Sequence, residues 1–466
     1  MNAPRIERRE LLRGLAAASL GFPAIVPASV FGQDPPSRRI QVGQLGCGRI
    51  GRTSEIPGVL RHPEIARFVA VCDLDAIRLE DGRKMIEDAS SRRSGKQGEA
   101  RVKAYRDYRE MLADPSIDAI CISTPDHWHA QPAMEAALAG KDIYLQKPAS
   151  LTIREGRQMA DVIRKTGRIL QIGSQQRSGP QFRLACELVR NGRIGKIQTI
   201  EIGLPVDPSG PDEPRMPVPS NLDYDAWLGS TPGVYYTEAR VHPQSADPAR
   251  RYDRPGWLRC EQFGAGMITG WGAHHVDIAH WGMGLEHSGP VEVKARAEFP
   301  RKGLWDVHGP FRVEALYSNG ARLVISDQLP NGIKFVGEEG WIWVTRGNYP
   351  EPANSKATGT NRPLDASDRR ILDASLPKDA VRLHNSPKND HHLDWLVSIR
   401  DRKPPAAPAE DGHRSCTACL LGHAAMKLGR TLRWDPETES FPGDGEANRV
   451  RERPQRSPYG TNSVVS

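Results

Sequence analysis

The 466-residue chain is short of cysteine, of long apolar runs and of concentrated charge, and each shortage removes a class of protein. Seven cysteines, an odd number scattered along the whole length, make no regular framework, so disulfides do not hold the fold together. No stretch reaches the ~20 apolar residues that span a bilayer. Lys and Arg exceed Asp and Glu by 64 to 57, but the net +7 is dispersed and follows no aromatic platform. No nucleic-acid partner is therefore expected. What the chain has in quantity is turn chemistry, with 44 Gly and 38 Pro, on a background of 38% hydrophobic and 26% charged residues. That is the composition of a loop-rich globular protein, and its length predicts two or three domains at roughly 150 residues each.

Met1 to Gln33 reads as an export signal, because Arg8-Arg9-Glu10-Leu11-Leu12-Arg13 precedes the small, apolar run Gly14 to Val30. The paired arginines form a twin-arginine pattern. Pro23 and Pro27 interrupt the run, which makes a retained membrane helix the weaker reading, and cleavage is expected between Ala28 and Gln33. Twin-arginine export carries folded proteins, so a periplasmic or otherwise exported destination and an encounter with that export machinery are expected, with any cofactor loaded beforehand.

Arg39 to Leu45 alternates as a strand does and runs into Gly46-Cys47-Gly48-Arg49-Ile50-Gly51. In this context G-x-G-x-x-G is a dinucleotide fingerprint: the first glycine makes the turn, the second admits a pyrophosphate, and the third lets the following helix pack on the strand. Phe68 to Cys72 is a buried strand ending at Asp73, 27 residues after Gly46. A carboxylate there accepts from ribose hydroxyls and repels a 2′-phosphate, so NAD is favoured over NADP. Two further strands, Asp118 to Ser123 and Asp142 to Leu145, end in Thr124-Pro125-Asp126-His127-Trp128-His129 and Gln146-Lys147-Pro148. Strands alternating with helices predict an α/β fold with a doubly wound parallel sheet, whose ligands bind beyond the strand C-termini.

Downstream, Phe263 to Trp281 becomes helical in spacing from about Ala273, and His274, Asp277 and Trp281 share one face. A metal site from His274, Asp277 and His280 is poor, because residues six apart lie about 240° apart around a helix. The pattern His413, Cys416, Cys419, His423 is likewise no four-ligand zinc site: on a continuous helix its ends stand about 15 Å apart. No metal is expected.

Taken together, the fingerprint, the Thr-Pro-x-x-x-His and Lys-Pro motifs and the histidine helix resemble the glucose-fructose oxidoreductase, inositol dehydrogenase and rhizopine catabolism family (Gfo/Idh/MocA), and most closely its exported twin-arginine branch. The resemblance runs from about Arg38 to Asn448. It implies a Rossmann domain over residues 38–150 and an α/β domain with an open mixed sheet over 151–448, followed by a basic tail at 449–466 that is either solvated or an oligomer contact. It also implies a tightly held nicotinamide, sugar-like substrates and frequent homo-oligomers.

Residue by residue, the resemblance places Gly46, Gly48, Arg49, Ile50, Gly51, Asp73, Thr124, Pro125, His129, Gln146 and Lys147 around the cofactor. Lys147 contacts substrate as well, and His274 falls on the catalytic histidine. Two family acids are absent, replaced by Gln146 and Gly270. Arg177, Tyr252, Trp257 and Asp277 are further candidates for the sugar pocket. Three functions remain open at this point: an NAD-dependent oxidoreductase acting on a sugar hydroxyl, a glycosidase or lyase that passes through a transient keto-sugar with no net redox change, and a binding protein that retains NAD without turnover.

Overall fold

The computed structural model describes residues 39–94, 101–347, 362–372 and 375–465. The expected export signal lies outside the described residues. Ile40–Ser466 forms one compact unit. Its first sheet has six parallel strands, β1 (Ile40–Leu45), β2 (Ala66–Cys72), β3 (Lys103–Tyr105), β4 (Ala119–Ile122), β5 (Asp142–Leu145) and β6 (Leu170–Ile172), in the order β3-β2-β1-β4-β5-β6. This is the order of the dinucleotide-binding fold, reversing direction between β1 and β4. The sheet continues past residue 150, since β6 pairs with β5. β4 and β5 are buried at every position, as expected of parallel strands covered on both faces.

Register decides what the sheet presents at its edge. Leu45 lies opposite Cys72 on one side and Ile122 on the other, and Ile122 lies opposite Leu145. The glycine loop after β1, Asp73 after β2, Thr124 after β4 and Gln146-Lys147 after β5 therefore emerge side by side.

The second sheet has eight strands. These are β7 (Ile197–Gly203), β8 (Glu292–Ala297), β9 (Phe311–Leu316), β10 (Arg322–Ser326), β11 (Gly332–Gly337), β12 (Gly340–Val344), β13 (Leu364–Ala366) and β14 (Leu432–Arg433), ordered β13-β12-β11-β7-β10-β9-β8-β14. It is mixed, with β7 and β10 parallel and the other pairs antiparallel. Ile200, Ile202, Ile333 and Phe335 point from it into an apolar cluster that continues to Ile122 and Leu145 of the first sheet.

Seven helices matter below. They are α1 (Ala76–Ser94), α2 (Ala130–Leu138), α3 (Ile153–Thr166), α4 (Pro180–Arg190), α5 (Gly272–Met283), α6 (His391–Asp401) and α7 (Ala409–Leu428). Their ends follow local chemistry. Thr152 and Glu155 form a capping box at the start of α3, Asp390 caps α6, and α3, α5 and α7 each stop at a left-handed glycine, Gly167, Gly284 and Gly429.

The axis of the molecule is α7, wedged between the two sheets. A Cβ on Gly412 would overlap the Ile172 side chain of β6, and one on Gly422 would meet Val313 of β9 at 3.2 Å. Cys416 and Cys419 are buried within it, and His413 bonds Glu439 at 2.8 Å while His423 bonds Glu261 at 3.2 Å, so these four side chains turn to separate partners. All seven cysteines are buried and unpaired. Among the described residues, no helix is long and apolar enough to cross a membrane.

Arg449 of the basic tail is exposed, while three other arginines of the tail are bound to the body of the protein. Arg451 donates to the Glu439 carbonyl, Arg453 lies 3.0 Å from Glu155 and donates to the Ser230 hydroxyl at 2.7 Å, and Arg456 donates to the Gly229 carbonyl at 3.0 Å. Three arginines in one short segment have found acceptors on the body of the protein, which fixes that segment in place.

Candidate active site

A cavity of about 760 Å³ opens at the C-terminal edge of the first sheet and is closed on its far side by residues of the second half of the chain. Gly46, Gly48, Arg49, Ile50, Asp73, Thr124, Pro125, His129, Gln146, Lys147, Trp257 and His274, all singled out in the sequence, line it. Gly51 sits just behind.

The glycine loop passes a direct test for a dinucleotide. Gly46 has φ +85°, and a Cβ there would lie 2.7 Å from the Ser123 carbonyl oxygen. On Gly51 a Cβ would strike the Gly46 carbonyl. At Gly48 the nearest atom to an added Cβ is an Arg78 side-chain nitrogen at 3.9 Å, so that glycine faces open cavity rather than protein. Two glycines thus shape the loop and one keeps space for a ligand, the division of roles that a bound pyrophosphate requires.

Asp73 holds the loop as well as facing the cavity. Its carboxylate accepts from the N–H of Cys47 at 2.7 Å and from that of Asp75 at 2.9 Å. Each oxygen retains capacity for one more donor, which is what ribose hydroxyls supply. The neighbouring Asp75 does the helix capping, accepting from Ile77 and Arg78 at the start of α1.

At the other end of the cavity stand Lys147, Asp126 and His274. Burial lowers the Lys147 ammonium, as do the charges of Arg346, Arg254 and Arg49, while Asp126 opposes them. Asp126 is 3% exposed, its Oδ2 has no hydrogen-bond partner, and burial raises its carboxyl against the pull of Lys147. His274 sits in the first turn of α5. Burial, with Arg346 and Lys147 nearby, holds its imidazole well below the usual histidine range, and its Nδ1 is without a hydrogen-bond partner. The ring is therefore neutral near pH 7 and able to accept a proton.

His129 lines the cavity, but both ring nitrogens face backbone oxygens, Nδ1 at 2.6 Å from Pro148 and Nε2 at 3.0 Å from Thr124. Its work is to brace the segment carrying Lys147. Gln146 donates to Glu55 at 2.6 Å, and Ser123 donates to the other Glu55 oxygen at 3.2 Å. Glu55 is fully buried, and burial pushes its carboxyl up to about 7. The acid missing at position 146 thus has a neighbour, carried instead by the helical turn that follows the glycine loop.

Three expected sugar contacts are corrected. Arg177 and Asp277 do not reach the cavity: they pair with each other at 2.8 Å through both guanidinium edges, and Arg177 also donates to Asp411 at 2.7 Å. Asp277 shares a face with His274 but lies almost one turn further along α5, where that face meets α7 rather than the cavity. Tyr252 is not part of the lining either. Its ring packs under Arg52 and Arg78, with guanidinium carbons at 4.4 and 4.9 Å from the centroid, and its hydroxyl donates to Asp81 of α1 at 2.7 Å.

Sequence reasoning passed over Asp126, Glu55, Trp271 and Arg346. Asp126 had a signal, being an acid at the C-terminal edge of the sheet inside a motif already noticed. Glu55 lay in a stretch read only as helix. Arg346 follows β12 and enters the cavity through tertiary packing alone, with its guanidinium carbon 5.1 Å from the Trp271 ring centroid.

A nucleotide loop, an acid after β2 and a lysine–histidine pair in one cavity define a dinucleotide-dependent enzyme of the two-domain α/β class. The chain belongs to the Gfo/Idh/MocA oxidoreductase family: the model of its NAD-binding Rossmann fold matches residues 40–174, and that of its C-terminal α/β domain matches 210–346 and 370–461. NAD is the cofactor of this fold, and Gly46, Gly48, Gly51 and Asp73 are the residues that would hold it.

The chain is 30% identical over 185 residues to myo-inositol 2-dehydrogenase of Thermotoga maritima, covering 40% of this chain and 48% of that one. It is 30% identical over 159 residues to glycosyl hydrolase family 109 protein 2 of Shewanella sp. strain ANA-3, covering 34% and 32%. These matches thus span half or less of the curated relatives. The WlbA dehydrogenase of Bordetella pertussis, solved with NADH and UDP-GlcNAcA, superposes with a TM-score of 0.57 at 18% identity, covering 85% of this chain and 99% of that one. At that identity the likeness is one of fold.

Proposed function

We propose that the protein is an exported NAD-dependent oxidoreductase that oxidises a hydroxyl of a sugar or sugar derivative, with the cofactor held tightly. The observation that carries this reading is that one cavity is lined by the glycine loop and Asp73 at one end and by Lys147 and His274 at the other. When bound, NAD supplies the hydride acceptor. The protein's own part is to place the hydroxyl and move its proton. Lys147, braced through the His129–Pro148 contact, sets a positive charge beside the reacting oxygen, where it stabilises developing alkoxide. His274, held neutral and lining the cavity, accepts the proton as the C–H bond breaks. The buried Asp126 keeps Lys147 protonated against its cationic neighbours. Trp257, on the wall of the same cavity, offers a ring face for a sugar.

A second reading has its own support in the glycosyl hydrolase relative, and in it the same hydroxyl oxidation is transient, acidifying the adjacent C–H for elimination before the carbon is reduced again. One experiment separates the readings. The holoprotein is incubated with a panel of sugars and glycosides while nicotinamide absorbance and bond cleavage are followed together. An oxidised sugar product without cleavage, with bound NADH accumulating or a second sugar reduced, supports the first; cleavage with no net redox change supports the second; neither oxidation nor cleavage with any member counts against both. Lys147→Met and His274→Ala should each lower turnover by at least ~10²-fold with NAD still bound, and near-normal turnover removes that residue from the mechanism.

A further inference from the structure

Residues 453–461 cross the body of the protein from one anchor to the next and carry an aromatic ring into the wall of the cofactor cavity. Arg453 lies 3.0 Å from Glu155 of α3, and the Gln455 amide donates to the same carboxylate at 3.1 Å. Arg456 donates from its backbone N–H to the Ser230 carbonyl at 2.8 Å and from Nε to that of Gly229 at 3.0 Å. Beyond it, the N–H of Gly460 donates to Gln131 of α2 at 2.6 Å, and Thr461 is buried. Tyr459 stands between the last two anchors, half-buried, with its ring against Trp128, and it lines the cavity.

That ring is the end of a row that begins beside Asp73. The Asp73 N–H donates to the Tyr105 carbonyl at 3.4 Å and Arg106 donates to the Leu74 carbonyl at 2.8 Å, so the segment after β3 is tied to the one after β2. Tyr108 follows on that segment. Its ring meets Trp128 edge to face with centroids 5.7 Å apart, and Trp128 meets Tyr459 in the same way at 5.6 Å. Each ring is held in place. The Tyr108 hydroxyl donates to Glu135 at 2.6 Å, the Trp128 indole N–H donates to the Trp227 carbonyl at 2.9 Å, and the Arg456 guanidinium carbon lies 5.3 Å from the Tyr459 centroid. All three residues line the same cavity as Asp73.

The glycine loop takes the pyrophosphate of NAD and Asp73 the adenosine ribose, which leaves the adenine to the wall beyond Asp73. A purine is flat, uncharged and aromatic, and it is held by ring faces and edges rather than by charge. We propose that the segment 453–461 completes the adenine end of the NAD site, with Tyr459 as a cofactor-binding residue that slows release of the nucleotide. The anchors on Glu155, Ser230 and Gln131 set the ring in place before the nucleotide arrives, so binding does not have to order it. The inference rests on the tight hold on NAD in the proposed function and gives that hold a source outside the glycine loop.

The test compares the parent holoprotein with Tyr459→Ala and Tyr459→Phe. Each is mixed with an excess of isotope-labelled NAD, and replacement of the bound nucleotide is followed by mass spectrometry. Two fragments are titrated in parallel into the full chain freed of nucleotide: ADP, which keeps the adenosine and both phosphates, and nicotinamide mononucleotide, which lacks the adenine. Tyr459→Ala is expected to release NAD at least ~10-fold faster and to weaken ADP by a similar factor, with nicotinamide mononucleotide unaffected. Tyr459→Phe keeps the ring and should stay close to the parent in all three.

Unchanged release of NAD from Tyr459→Ala overturns the proposal, as does failure of ADP to bind the parent. Slower binding is not enough: a loss in NAD without a loss in ADP places Tyr459 away from the adenine, and an equal loss in both fragments makes its role one of general structure. Tyr459→Phe as impaired as Tyr459→Ala removes the ring from the explanation. If Tyr459→Ala does not fold, Tyr459→Leu, which fills the space beside Trp128 without an aromatic ring, decides by the same measurements. Rapid exchange of NAD by the parent itself would count against the tight hold of the proposed function, and the ADP comparison would still decide the place of Tyr459.

Discussion

Gly46 and Gly48 stand two residues apart in one loop, yet a methyl group would have opposite consequences at the two sites. At Gly46 it would meet a backbone oxygen at 2.7 Å in a left-handed conformation, so Gly46→Ala is expected to destabilise the fold itself by about 1–3 kcal/mol. At Gly48 it would project into open cavity. Gly48→Leu should therefore leave the thermal midpoint of the apoprotein nearly unchanged and abolish retention of NAD, measured by releasing the nucleotide from denatured protein and weighing it by mass spectrometry. Finding NADP rather than NAD in the parent would overturn the role given to Asp73. Loss of stability in Gly48→Leu to the same degree as in Gly46→Ala would mean that the second glycine is structural too.

Glu55 makes a prediction of the opposite sign to that of carboxylates held in ion pairs. Its folded value of about 7 lies above the ordinary 4.5, so the folded state holds this proton more tightly than the unfolded chain does. The stability it contributes is complete below about pH 4.5 and is lost as pH rises through about 7. Unfolding free energy of the parent should thus fall between pH 5 and 8 by on the order of 1–3 kcal/mol more than that of Glu55→Gln. Other raised carboxyls such as Asp207, pushed up to about 6, remain in both proteins and cancel in the difference. Parallel pH profiles would show that Glu55 is not the source.

At the scale of elements, a buried guanidinium ties α5 to α7 in addition to their apolar packing. Arg177 is 3% exposed and satisfies two buried carboxylates, Asp277 on α5 and Asp411 on α7. Arg177→Met would leave both without their main counter-charge, a change that costs about 3–5 kcal/mol when a buried pair is broken on one side. Chemical denaturation should register this loss, whereas the affinity for NAD at low temperature should hold, because neither carboxylate lines the cavity. A large rise in the KM of a sugar substrate with unchanged stability would instead return Arg177 to the sugar pocket. The same helices show what periodicity does and does not reveal. Spacing put His274 and Asp277 on one face of α5, but a helix face is long, and only its first turn meets the cavity.

For the molecule as a whole, compartment and cofactor constrain each other. An exported enzyme finds no free NAD pool, so a cofactor released as NADH in each cycle would serve once. If the proposed export holds, the purified holoprotein supplied with substrate and no external NAD should complete many turnovers, with the cofactor reset in place either by reduction of a second sugar or by return to the same carbon. A reaction that stops after one equivalent and resumes only on addition of NAD argues against this. Export itself is checked by changing Arg8 and Arg9 together to Lys, which should abolish periplasmic accumulation; unchanged accumulation would remove the twin-arginine assignment.

The parts of this protein that were legible in its sequence are those whose physics is local. A strand running into Gly46-Cys47-Gly48-Arg49-Ile50-Gly51 declares a nucleotide loop because turn geometry and backbone approach depend on neighbouring residues. Buried parallel strands show as apolar runs, and their C-terminal motifs at Asp73, Thr124 and Lys147 gather at one edge because parallel register places all strand ends together. The resemblance carried His274 across from a distant segment. Only the tertiary structure decided the rest. Arg177 and Asp277 look like binding residues by type, but burial without a ligand requires charges to pair, and they pair with each other. Tyr252 went to Asp81, the basic tail folded back onto Glu155 and Ser230, and Arg346 reached the cavity from 199 residues beyond Lys147. Contacts of that kind depend on how two sheets pack across α7, and no local pattern of residues encodes the distance between them.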